Sequence, residues 1–201
     1  MLSACGGNPL SSVTGPSPAS VAVQPGDLPK DMHKCDLSGD IDSFLTKSKT
    51  KDASTYTSTK DEWDSAKQKG ATAAYTAFYA DTTANCGTIE SSTSDITSAT
   101  FKLVVNFVVQ FKDEASAAKG YTSETIFGIS KDKLKGGGAP TVEGTQTGLT
   151  ANSIVLSIAI SNQSFYVVEW QNKAFLVILA ILNIDTPTCK KVAQAVNARI
   201  K

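Results

Sequence analysis

From residue 101 onward the chain alternates. Phe101, Leu103, Val105, Phe107 and Val109 fall on one side of an extended backbone and Lys102, Val104, Asn106, Val108 and Gln110 on the other, the period-two signature of a half-buried strand. Ser153 to Ile160 reads as another strand. Ser164 to Trp170 and Ala174 to Ile184 form a hairpin across Gln171-Asn172-Lys173. The second arm, Ala-Phe-Leu-Val-Ile-Leu-Ala-Ile-Leu, is apolar on both sides and therefore predicts a central strand covered on both faces. It is well short of the ~20 residues a membrane-spanning helix requires. Residues 71–81 mix alanine with Thr, Tyr and Phe; we read a strand there because Gly70 ends the helix before it.

Helical spacing appears between these runs. Ile41, Phe44 and Leu45 share a face in a short helix from Asp40 to Thr46, and Lys47 to Ser58 reads as polar linker. Thr59-Lys60-Asp61-Glu62 fits a capping box, opening a helix that buries Trp63 and Ala66 and stops at Gly70. Asp113 caps a helix ending at Gly120, and Lys131 to Pro140, with Gly136-Gly137-Gly138, reads as a mobile loop. Thr186-Pro187 starts the last helix, whose stripe of Cys189, Val192, Ala193, Val196 and Ile200 faces a sheet while Lys190, Lys191 and Arg199 point away. The order predicts one α+β domain over residues 31–201, an antiparallel sheet with helices packed mainly on one face. Residues 6–30, rich in Ser, Pro, Gly and Val without apolar periodicity, read as a flexible N-terminal tether.

Composition narrows the chemistry. The 201 residues carry 19 Lys plus Arg against 19 Asp plus Glu, a net charge of zero that gives no general attraction to nucleic acid or anionic lipid. His33 is the one histidine and Arg199 the one arginine, which excludes a multi-histidine zinc site and paired arginine clamps on phosphate. His33 lies between Lys30 and Lys34 and reads as a solvated loop residue. Asp36, Asp40 and Asp42 crowd around Ser38-Gly39 without calcium-loop spacing, and helix capping accounts for them. The three glycines lack a following Gly-Lys-Ser/Thr, so they form no phosphate cradle. Ser116-Ala117-Ala118-Lys119 has a Ser-x-x-Lys spacing but no Ser-Asp-Asn or Lys-Thr-Gly companion. Asn162-Gln163-Ser164 matches a glycosylation sequon. We therefore expect no catalytic residues, metal or cofactor. Tyr166 and Trp170, with Trp63, are the aromatics able to line a ligand pocket, set against core packing.

The cysteines speak to compartment. Leu2-Ser3-Ala4-Cys5 resembles the lipobox of bacterial lipoproteins, in which small residues precede a cysteine whose sulfur receives the lipid. The resemblance implies that residues 1–5 close a lipoprotein signal, that Cys5 is acylated, and that the domain hangs outside a bacterial membrane by its anchor. Three cysteines then remain, and one disulfide with one thiol is expected in an oxidising compartment. Cys35 and Cys86 lie in polar, loop-like surroundings and are the favoured pair, with Cys35–Cys189 and Cys86–Cys189 as alternatives. A bridge of that loop length is worth roughly 4 kcal/mol by chain entropy. The element order, with the valine-rich strand into Phe111-Lys112-Asp113-Glu114-Ala115-Ser116-Ala117 and the closing hairpin plus helix, is similar to extracytoplasmic sensor-type domains and to the PsbP-like group; this likeness of arrangement assigns no functional residue.

The expectation is a lipid-anchored cell-envelope module that binds a protein or a small molecule without catalysis. An envelope enzyme using carboxylates or a Ser/Lys pair, or a purely structural envelope protein, are the alternatives. No basic or apolar signal region precedes Leu2 in this sequence. In-frame codons upstream of Met1 should therefore encode Lys or Arg followed by an apolar run; a stop codon immediately upstream, found by sequencing the locus, contradicts the lipobox reading.

Overall fold

The computed structural model of the chain describes residues 15–91, 98–125 and 128–201. Short strands β1 (His33–Lys34) and β2 (Gly39–Asp40) lead into helices α2 (Ile41–Lys51) and α3 (Ala53–Gln68), preceded by a single turn, α1 (Pro18–Val21). Then follow β3 (Ala71–Ala80), α4 (Thr83–Ser91), β4 (Leu103–Phe111), α5 (Glu114–Ser123), α6 (Lys131–Gly136), β5 (Thr141–Glu143), β6 (Ser153–Ile160), β7 (Gln163–Asn172), β8 (Phe175–Leu182) and α7 (Thr186–Ala198). The strands form one antiparallel sheet in the order β1-β3-β4-β8-β7-β6-β5, with β2 also on β3. Helices α2 to α6 cover one face; α1, the segment after it and α7 cover the other. The expected α+β architecture with helices mainly on one face is the one observed.

Side chains divide by strand parity. Leu103, Val105, Phe107, Val109 and Phe111 of β4 pack under the main helical layer with Leu176, Ile178, Ala180 and Leu182 of β8. Val104 and Val108 of β4 and Val177, Leu179 and Ile181 of β8 pack on the opposite face. The strand expected from Phe101 thus begins at Leu103 and is buried on both faces rather than one, because an N-terminal strap lies over its second side.

That strap corrects the tether. Residues 15–30 were expected as free chain, yet Val21, Ala22 and Val23 are almost fully buried. Val23 donates its backbone N–H to Asn106 Oδ1 at 2.9 Å, and its carbonyl accepts from the Tyr79 hydroxyl at 3.0 Å. The Arg199 guanidinium reaches the carbonyls of Val21 and Ala22 and pairs with Asp27. A strap without a strand partner stays buried because side chains of the sheet and of the C-terminus satisfy its backbone groups. Residues 6–14 and Cys5 lie outside the described residues.

Other local expectations shift. Residues 47–58 are helical, not linker. Asp52 both ends α2 and caps α3, accepting from Thr55 N at 3.0 Å, so Thr59 sits inside α3 and caps nothing. Helix α5 runs through Gly120, which is needed for packing: a Cβ there would stand 2.7 Å from Phe111 Cζ. Ser130 caps α6 where a loop was expected, and Leu134 anchors it to the core. Gly70, at φ +101°, does end α3.

A disulfide joins Cys35 and Cys86, their Cα atoms 5.2 Å apart; Cys86 sits on α4 and not in a loop. Cys189 is the free cysteine among the described residues, and burial pushes its thiol to about 12, with Asp185 adding to the effect, so it is unreactive at neutral pH.

Asn106→Leu should leave the Val23 N–H buried without a partner and lower stability by about 1–3 kcal/mol, read as a shift of the urea midpoint at unchanged slope.

Candidate functional site

On the face carrying α7, the sheet and the last helix part to leave a cavity of about 270 Å³. Cross-strand registry builds its floor. Val142 of β5 stands opposite Val155 of β6, and Ser157 of β6 stands opposite Tyr166 of β7. Thr186 and Lys190 of α7 line it as well, with Pro140, Thr141, Gln146 and Thr147. β5 is only three residues long and β6 runs past it, so the sheet stops short of the helix and the gap is not filled.

Tyr166 is nearly fully buried as a residue, yet its hydroxyl makes no hydrogen bond among the described residues and is not one of the sealed-off polar atoms, so it opens on the cavity. Burial pushes its ionisation up to about 12, so it stays a neutral donor. The residues lining the cavity include one cation, Lys190, and no carboxylate. Lys190 makes no ion pair among the described residues. Trp170, four residues along the same face of β7, is excluded from the cavity and sits wholly in the core, so of the two expected aromatics only Tyr166 reaches the site. Lys190, expected to point away from the sheet, is indeed exposed, and it also borders the opening of the cavity.

A wider, open groove of about 680 Å³ runs between α2 and α3, with Tyr56 and the edge of Trp63 at its base. Its lining carries Lys49, Lys60 and Lys67 against Asp42 and Asp64; Asp64 pairs with Lys60 at 2.6 Å and Lys67 at 2.7 Å, which hold its carboxyl down at about 2, and Lys49 lies over the Tyr56 ring. Unlike the cavity, this groove is lined by carboxylates, one of them already held by two lysines.

The remaining sequence candidates fall elsewhere. His33 is exposed on β1; Asp40 caps α2 through Ser43 N at 2.8 Å. No cluster of three metal-ligating side chains exists among the described residues. Ser116 receives the Asp113 cap at 2.7 Å on its backbone N–H and packs beside Gly70. Asn162 and Gln163 lie at the turn between β6 and β7.

Sequence reading missed Glu169. On β7 it stands opposite Ile154 and Ile178, beneath the main helical layer, with no exposed surface. Desolvation raises its carboxyl to about 8; the Lys131 backbone N–H and ammonium oppose the shift and Asp132 adds to it. Neither oxygen gains a well-aligned hydrogen bond among the described residues. The group is sealed away from any substrate and acts on stability instead.

No protein-family model and no curated protein sequence matches the chain. Among solved structures, the extracellular domain of PknH from Mycobacterium tuberculosis is similar at 13% identity and a TM-score of 0.43, over 65% of this chain and 66% of that one. Among the described residues, no helix is long and apolar enough to cross a membrane.

The Glu169 carboxyl is neutral in both folded and unfolded chain below its ordinary 4.5. Between 4.5 and about 8 only the unfolded chain ionises, so this group's share of stability falls as pH rises and is lost above about 8. Glu169→Gln should flatten that slope and raise stability at pH 9 by a few kcal/mol relative to wild type, with little change at pH 4, measured by urea unfolding.

Proposed function

We propose that this chain is a lipid-anchored extracytoplasmic binding module that holds a small molecule and catalyses nothing. The observation that carries binding is the preformed cavity between β5, β6, β7 and α7, with the unpartnered Tyr166 hydroxyl at its floor. Small-ligand sites are concave, largely apolar and preformed, with a few polar groups that fix orientation. The cavity stands near the lower end of that size range, which suits a compact ligand.

Placement outside the cytoplasm draws support from two features. The Cys35–Cys86 disulfide is the kind of bond that persists in an oxidising compartment. The Leu2-Ser3-Ala4-Cys5 sequence supplies the sulfur for an anchor. An anchor of this kind ties the module to a membrane from which its neutral charge would otherwise let it diffuse.

The native gene, expressed in its own bacterium with radioactive palmitate, should yield a labelled product that sediments with membranes, and Cys5→Ser should abolish both label and sedimentation. A wild-type product that stays unlabelled and remains in the cytosol overturns the proposal.

A further inference from the structure

We infer, resting on the reading of this cavity as a binding site, that its ligand is a compact amphiphile with one anionic end, the size and character of a medium-chain carboxylate. Each part of the lining contributes one property. Val142 and Val155 offer an apolar wall. Lys190 offers an ammonium that no carboxylate in the lining neutralises. Tyr166, Ser157 and Thr186 place hydroxyls around the same space.

Size follows from volume. A cavity of about 270 Å³ equals about nine water volumes and so accommodates on the order of ten heavy atoms. A dinucleotide or a peptide of several residues exceeds it.

Charge follows from what is missing. An uncompensated ammonium beside apolar surface favours an anion, and an anion held by Lys190 and a neutral phenol gains charge-assisted hydrogen bonds. A ligand bearing a cation meets repulsion from Lys190 and finds no carboxylate in the lining. A fully apolar ligand covers the Tyr166 hydroxyl without offering it a partner and denies it the water it can otherwise meet. Of the three, only the anionic amphiphile satisfies the wall, the hydroxyl and the ammonium together. Phosphate or sulfate alone would satisfy the ammonium and waste the apolar wall.

Calorimetric titration of the full domain with octanoate and with octanol tests the assignment, the two probes sharing chain length and differing in the headgroup. Octanoate should bind about tenfold or more tightly than octanol. Lys190→Gln should bring octanoate to within about twofold of octanol, and Lys190→Arg should restore most of the preference. Ser157→Trp, at an exposed position whose enlargement the fold tolerates, should block both probes by filling the space. Equal binding of octanoate and octanol overturns the headgroup assignment and leaves the cavity reading intact. Binding of neither, or octanoate binding that survives Ser157→Trp, overturns both.

Discussion

A single buried amide sets how the ends of this chain meet its middle. Asn106 stands at the centre of β4 with no exposed surface, in a run of Val and Phe where an unpaired amide would be costly. Its Nδ2 donates to the Ile178 carbonyl on β8 at 2.9 Å, and its Oδ1 takes the Val23 N–H. The first contact stays within the sheet, while the second can be made only by the strap. Once the strap is down, its carbonyls at Val21 and Ala22 stand ready for Arg199, so the one arginine of the chain closes the last turn of α7 against it. The second hydrophobic layer is therefore closed by the two ends of the sequence around one polar residue.

Both faces of the sheet bury polar groups, with and without partners. On the strap side the buried amide is satisfied on both of its ends. Under the main helical layer Glu169 is not, and the domain meets that cost by keeping the acid neutral over most of the physiological range. Thr59 has a similar unpartnered hydroxyl on the inner side of α3. Buried polar groups without partners thus lie on both faces, Glu169 and Thr59 under the main helical layer and Trp170 Nε1 on the strap side, while Tyr166 presents its spare hydroxyl to a space that solvent or a ligand can enter.

Much of the sheet was legible in the residues because period-two alternation and continuous apolar runs survive local context; β4, β6, β7 and β8 stand where the pattern places them, to within two residues. The last helix was legible because its stripe is aliphatic and its start carries Pro187 after an Asp cap. The first half of α3 was hidden because its inward stripe is built from Thr55 and Thr59, residues that read as linker until something covers them. Helices α4 and α6 are short and each buries only one or two side chains, too few for a period to show. The strap was hidden for a related reason: Val21 and Val23 are two apolar residues among Ser, Pro and Gln, and only the distant Asn106, Tyr79 and Arg199 make them core. Of the cavity, Tyr166 was legible as an aromatic. Lys190 was not, because a lysine at the margin of a helical stripe reads as solvated until the strands opposite it are known to stop short.

The strap also fixes a distance. On the proposed anchoring at Cys5, thirteen residues, from Cys5 to Ser17, run between the sulfur and the cap of α1. That stretch of chain spans at most about 40 Å, so an anchor at Cys5 would keep the domain within roughly its own diameter of the lipid surface. On the same proposal, a ligand for the gap beside α7 would be met close to the membrane.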